Sequence, residues 1–145
     1  QGRLLPPPGD PARRRHSYWL HYAEGSLMPP FLLSLIFAKV RSAPMPFFAK
    51  PIAHGIADKV RPGFVTPQVS PHLDSLEAEL GNSAWFAGDD FSVADIQLSF
   101  PLEAAAARGG LDARRPRLMD FVQRIQARPA YRRALERGGP YELMR

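Results

Sequence analysis

The chain of 145 residues contains no cysteine, which removes disulfides and thiol nucleophiles. Its four histidines, His16, His21, His54 and His72, are nowhere four residues apart, so no two face one way on a helix as paired metal ligands. No metal site is expected. Neither a phosphate-cradling glycine loop nor a G-x-S-x-G nucleophile elbow is present. The longest apolar run, Met28 to Ala38, holds two prolines and a serine and is too short to span a bilayer. No signal peptide is visible, and the first residue is Gln rather than Met, as in a processed, trimmed or fragmentary N-terminus. The expected location is cytoplasmic, with no membrane partner.

Positive charge is missing from the middle of the chain. Residues 64–107 carry seven acids and no Lys or Arg, whereas residues 1–63 carry nine bases against three acids and residues 108–145 carry ten against four. Arg13–Arg15 and Arg114–Arg115 with Arg117 are the residue types a phosphate backbone attracts. No nucleic-acid motif accompanies them, and sixteen of the nineteen bases are arginine, as a GC-rich genome would give. A solvated surface with an acidic middle facing basic flanks is the simpler reading, with no nucleic-acid partner.

Strand-like alternation is also absent, and helical spacing takes its place. At this length and 45% hydrophobic residues, one globular all-α domain over 1–145 is expected, burying roughly two-thirds of its unfolded surface. "LLPPPGDP" is an extended, proline-stiffened lead-in, with Asp10 placed to cap a helix and Pro11 in its first turn. That helix runs from about Ala12, and Gly25 with Pro29–Pro30 should bend or break it. Helical spacing resumes through "FLLSLIFAKV". A shorter helix over "FFAKPIAHGIADKV" should end at Pro62–Gly63. Leu73, Leu76 and Leu80 make an apolar stripe ending at Gly81. Leu118, Phe121, Val122 and Ile125 mark a buried face after a turn at "GGL", and Gly138 should cap a last short helix.

The firmest signal lies in "WFAGDDFSVADIQLSFPL", residues 85–102. Gly88 with Asp89 and Asp90 supplies a turn. Ser92 stands at an N-cap and can accept from the residue three on, while Asp95 can reach back to the Ser92 N–H, closing a capping box. Phe91 and Ile96 stand at the two staple positions. Between Val93 and Ala107 only Asp95, Gln97, Ser99 and Glu103 are polar, so this helix belongs at the centre of a bundle. Pro101 should kink it, and Ala104–Ala107 leave room for close packing or open space.

Catalytic residues cannot be assigned, but one face of the first helix is unusual. Trp19, Leu20, Ala23 and Leu27 share an arc that should be core. Tyr18, His21, Gly25 and Met28 share the opposite arc, an aromatic, an imidazole, a gap and a flexible thioether. That set suits an apolar pocket wall, a contact with another domain, or plain surface.

"FAGDDFSVADIQLSFPLEAA" resembles the sixth-helix region of glutathione S-transferases, whose motif is a Ser/Thr-x-x-Asp capping box with a staple. "RRRHSYWLHYAEGSLMPPFL" is similar to the fourth-helix start of that family, and "RIQARPAYRRALERGG" to its last helices. "SFPLEAA" resembles a bacterial–fungal branch that includes a yeast transferase. The resemblance covers essentially the whole chain and implies a glutathione S-transferase C-terminal-like helical bundle. It also implies that the family's thioredoxin-like domain, which binds glutathione, would end near "GRLLPP", making residues 1–11 the lead-in from it. Matching the fourth helix through Trp19, Leu20 and Tyr22 lands on His21, Gly25, Ser26 and Met28, and with Tyr18 and Tyr22 of the same helix these are the expected substrate-binding positions. Ala104 would keep the pocket open. A relative's histidine near the glutathione sulfur falls at Met28, and a partner-reaching acid near Ser26. The implied co-substrates are glutathione and a small hydrophobic electrophile, the implied assembly a homodimer, and the implied role detoxification. The alternative within the fold is a non-enzymatic interaction module.

Overall fold

A computed structural model describes residues 4–107 and 110–139. Seven α-helices form it: α1 Pro11–Tyr22, α2 Met28–Ser42, α3 Lys50–Val60, α4 Thr66–Glu79, α5 Val93–Ala107, α6 Pro116–Ala127 and α7 Pro129–Gly138. Among the described residues there is no strand, only an isolated bridge between Trp85 and Gly88. The "GGL" turn falls partly on residues outside this description.

Two expected breaks are absent. α1 passes into α2 through a π-helical turn, Ala23–Leu27, and α3 passes into α4 through another, Arg61–Val65. Met28 N–H bonds the Ala23 carbonyl, and Thr66 N–H bonds that of Arg61, each five residues back. A proline lacks an N–H and its ring crowds the carbonyl four residues earlier. Widening the turn beside Pro29–Pro30 and around Pro62 absorbs that crowding without ending the helix. Gly25 and Pro62–Gly63 therefore lie inside long, continuous helices. The first, Pro11–Ser42, is long and apolar enough by length and composition to cross a membrane. On its inner face Trp19, Ala23 and Leu27 are buried in the core, while Leu32, Ile36 and Val40 further along are exposed.

α5 occupies the centre, as its all-round apolar sequence requires. Ala94, Leu98 and Leu102 are fully buried, and Pro101 does not interrupt the helix. Around it pack Trp19, Leu27, Leu73, Leu76, Phe86 and Phe121 from α1, the π-helical turn after it, α4, the loop before α5 and α6. Leu118, Phe121, Val122 and Ile125 are all buried, as their spacing predicts.

Asp95 is fully buried and does more than close a cap. Its Oδ2 accepts from the Ser92 N–H at 2.8 Å, the expected reach-back. The Ser92 hydroxyl donates to the same oxygen at 2.9 Å, so the serine side chain serves the carboxylate instead of accepting from the N–H three residues on. Oδ1 accepts from the Phe86 N–H at 2.9 Å, pinning the preceding loop. The first free N–H of the helix, that of Val93, finds the Leu4 carbonyl of the lead-in at 2.9 Å. The staple is looser than expected: Phe91 stacks edge-on against Trp85 at 5.0 Å, and Ile96 is exposed. The turn closes between Trp85 and Gly88, whose φ of 146° suits glycine.

Other ends are fixed by different means. Asp10 Oδ1 accepts from the Ala12 N–H at 2.8 Å, with Pro11 in the first turn, as expected. α6 has no cap of its own. Glu77 of α4 supplies one, its two oxygens accepting from the Arg117 and Leu118 N–H groups at 3.1 and 2.9 Å. The last helix ends on Gly139 with φ of 79°, one residue beyond the expected Gly138. The acidic middle does face the basic flanks: Arg15 pairs with Glu79, Arg115 with Asp74 and Arg117 with Glu77.

Candidate functional site

The outer face of α1 holds the first group of expected residues. Tyr18 and His21 are exposed, and Tyr22 is half-buried. The Tyr18 and Tyr22 rings lie 5.6 Å apart, and the Tyr22 hydroxyl reaches Nδ1 of His72 on α4 at 2.5 Å. Burial, reinforced by Tyr18, pushes the Tyr22 hydroxyl above its ordinary range. Tyr22 therefore stays protonated at neutral pH, with its hydroxyl hydrogen-bonded to the His72 ring. Gly25 sits in the π-helical turn, where an added Cβ would meet nothing within 4 Å. Ser26 and Met28 are half-buried beside it. Glu24 in the same turn accepts from Gln97 of α5, tying the turn to the central helix.

Ala104 lies elsewhere. With Phe31 of α2, Val65, Val69 and Leu73 along the second long helix, and Ala105, it forms the apolar wall of a cavity of about 410 Å³. The small side chains of Ala104 and Ala105 leave this volume, as the alanine run allows. Arg61, Arg114 and Arg115 line the same cavity, with Asp112. Arg115 is buried, held by Asp74 through Nε at 2.9 Å and by the Ser70 hydroxyl through Nη2 at 2.8 Å. Arg114 grips Asp112 through Nε and Nη2, the latter at 2.7 Å. That guanidinium holds the Asp112 carboxyl well down, at about 2, so the pair is fully charged at neutral pH.

The expected residues thus divide. Tyr18, His21 and Tyr22 stand on the α1 face, while Ala104 walls the cavity without Tyr18 or Gly25. Sequence reasoning missed His72, which meets Tyr22 across 50 residues of chain, and Arg115, which meets Asp74 across 41. No periodic signal announces such pairings. Among the described residues no three His, Asp or Glu side chains gather as metal ligands.

Residues 64–129, spanning the second π-helical turn to the start of α7, match the family model of the glutathione S-transferase C-terminal domain. The chain carries a glutathione S-transferase C-terminal domain. It is 37% identical over 93 residues to glutathione S-transferase 1 of Saccharomyces cerevisiae, covering 63% of this chain and 40% of that protein. It is 25% identical over 123 residues to glutathione S-transferase 3 of Schizosaccharomyces pombe, covering 85% of this chain and 50% of that one. A crystal structure of a glutathione S-transferase from Actinobacillus pleuropneumoniae matches 99% of this chain with a TM-score of 0.72 at 26% identity, over 59% of its own length. One of a glutathione transferase from Methylococcus capsulatus matches 94% with a TM-score of 0.61 at 29% identity, again over 59%. The yeast match supports the bacterial–fungal side of the family. The domain spans half or less of the curated relatives it matches.

Proposed function

We propose that this domain is the electrophile-holding and dimer-forming half of a glutathione S-transferase that conjugates glutathione to hydrophobic electrophiles in the cytoplasm. The 410 Å³ cavity carries the reading, because its size and mixed lining are those of a small-molecule site. Glutathione would be held mainly by a thioredoxin-like domain outside these residues, where the thiol is activated. The present residues bind and orient the second substrate, so their contribution is proximity rather than proton transfer. Tyr22 fits that division: a tyrosine whose hydroxyl is pushed up and is already hydrogen-bonded to His72 is a positioning group on the α1 face. In the same reading Tyr18, His21, Tyr22, Gly25, Ser26 and Met28 face the glutathione-binding domain, and Ala104 meets the electrophile.

The chain of 145 residues alone should give no turnover with glutathione and a model aryl halide; robust conjugation by it would overturn this division of labour. In a protein joining this domain to a glutathione-binding domain, Ala104→Leu should raise KM several-fold for a bulky electrophile and little for a small one. Equal responses would remove Ala104 from the substrate wall. Failure of that two-domain protein to conjugate any electrophile would favour the interaction-module reading.

Dimerisation has its own support. Leu32, Ile36 and Val40 recur every four residues along α2 and are exposed, as are Ile52 and Ile56 on α3. A monomer rarely leaves such a stripe bare. We expect Ile36→Glu to convert a sedimenting dimer to monomer without lowering the melting temperature of the fold. Unchanged sedimentation would assign the stripe to something else.

A further inference from the structure

The two π-helical turns carry the same sequence device. Gly25 in the first is followed by Pro29, and Gly63 in the second by Pro67, a Gly-x-x-x-Pro spacing at both. In an α-helix the glycine carbonyl would accept from the residue four on, where proline has no N–H and its ring crowds that same carbonyl. Each turn is instead held by one wider bond just before the proline, from the Met28 N–H to Ala23 and from the Thr66 N–H to Arg61. Glycine at the centre leaves the backbone free, and an added Cβ would meet nothing within 4 Å at either position. Both long helices are therefore weakest at the same kind of point.

The turns bracket one unit, α2 with α3. Pro30 and Ala57 of this pair are buried and Phe31 packs against the core, while Ile36, Phe47, Phe48 and Ile52 are exposed. α3 packs mainly on α2 and on the second turn. The polar contacts of the pair are internal: Arg41 Nε donates to Asp58 at 2.9 Å, and His54 Nε2 reaches the Arg41 carbonyl at 2.9 Å. Among the described residues no side-chain hydrogen bond or ion pair ties α2 or α3 to α1, α4, α5 or α6. The turns themselves are anchored to the core, by buried Ala23, Leu27 and Val65 and by the bond from Gln97 to Glu24. We infer that α2 and α3 form a hinged arm that swings as one body on the two Gly-x-x-x-Pro turns and gates the cavity. The lining divides accordingly: Phe31, Ser34 and Ala38 move with the arm, while Leu73, Ala104 and Ala105 stay with the core. A swing needs only small dihedral changes in two turns that already lack helix bonds, and it disturbs little buried packing.

Because the chain has no cysteine, introduced thiols are the only ones present. Nitroxide labels at Lys50→Cys with Gln123→Cys, arm to core, and at Ser75→Cys with Gln123→Cys, α4 to α6, are compared by pulsed dipolar spectroscopy, diluted into unlabelled protein. All three positions are exposed. The arm-to-core distances should be the more widely spread, and Gly25→Ala with Gly63→Ala should narrow them. Equal spreads, or no narrowing, would overturn the hinge. The gate is read from the thiol of Ala105→Cys, a buried cavity position, against that of Ser99→Cys, on the same helix outside the lining. The two glycine substitutions should slow the reaction of the first thiol with Ellman's reagent roughly fivefold or more and leave the second within about twofold. An unchanged rate at position 105, or equal slowing at both, would overturn the gating. Pro29→Ala with Pro67→Ala, both at exposed positions, returns the missing N–H donors without touching either glycine and should act in the same direction. A wider spread or a faster Ala105→Cys thiol in that variant would overturn the pairing of glycine with proline as the hinge.

Discussion

Asp95→Ala should destabilise the domain by roughly 3 kcal/mol or more, beyond the usual cost of a lost cap. The carboxylate receives three hydrogen bonds, from the Phe86 N–H, the Ser92 N–H and the Ser92 hydroxyl, at a fully buried position. Alanine leaves the three donors without their acceptor, and a buried unsatisfied donor costs more than the net gain of the bond it has lost. Chemical denaturation measures the loss; a midpoint equal to wild type would show that the three bonds are replaced by water. The pH dependence is separately informative. Burial pushes the Asp95 carboxyl above its ordinary 3.8, against the pull of the bonds from Phe86 and Ser92. A raised folded-state value means that the folded protein holds the proton more tightly than the unfolded chain. The cost of keeping this group charged is in force above the folded value and is relieved as pH falls through it toward 3.8. Compared with Asp95→Asn, the wild type should therefore gain relative stability on acidification from neutral pH. A gap that narrows on acidification would contradict the sign.

Phe121→Ala should cost about 3–5 kcal/mol, the range for emptying a large, fully buried aromatic site. Phe121 is buried in α6, with its ring 5.0 Å from that of Phe86 and 5.9 Å from that of Trp85. Both partners belong to the loop that Asp95 also holds through the Phe86 N–H. Arg124 lies over the Trp85 ring at 4.3 Å and Arg128 over Phe91 at 3.5 Å, closing the outside of the cluster. Loss of the Phe121 ring leaves a void between the loop and α6 that these surrounding rings cannot fill without leaving their rotamers. Phe121→Leu should cost clearly less, because it keeps much of the volume. Because Phe86 touches both systems, Asp95→Ala and Phe121→Ala together should lose a different amount from the sum of their separate losses. Strict additivity would mean that the loop transmits nothing between them.

Where local chemistry decides the outcome, the sequence by itself determined it. The all-α class follows from helical spacing, the buried faces of α1 and α6 from their apolar periods, and the central place of α5 from its all-round apolar sequence. Asp10 as the cap of α1 and the Asp95 reach-back to Ser92 span two and three residues, within the reach of a side chain on its own backbone. The proline positions were legible, but their consequence was not. Pro29–Pro30 and Pro62 read as breaks, whereas the tertiary structure keeps each helix continuous through a π-helical turn, because core packing on both sides outweighs one widened turn. The remaining decisions needed distant chain segments. Glu77 caps α6 across 40 residues, Tyr22 finds His72, and Arg115 is buried against Asp74, none of which a local period can encode. The cavity belongs to the same class. Ala104 announced room, but only the packing of α2, α4 and α5 brought Phe31 and Arg61 into one lining with it.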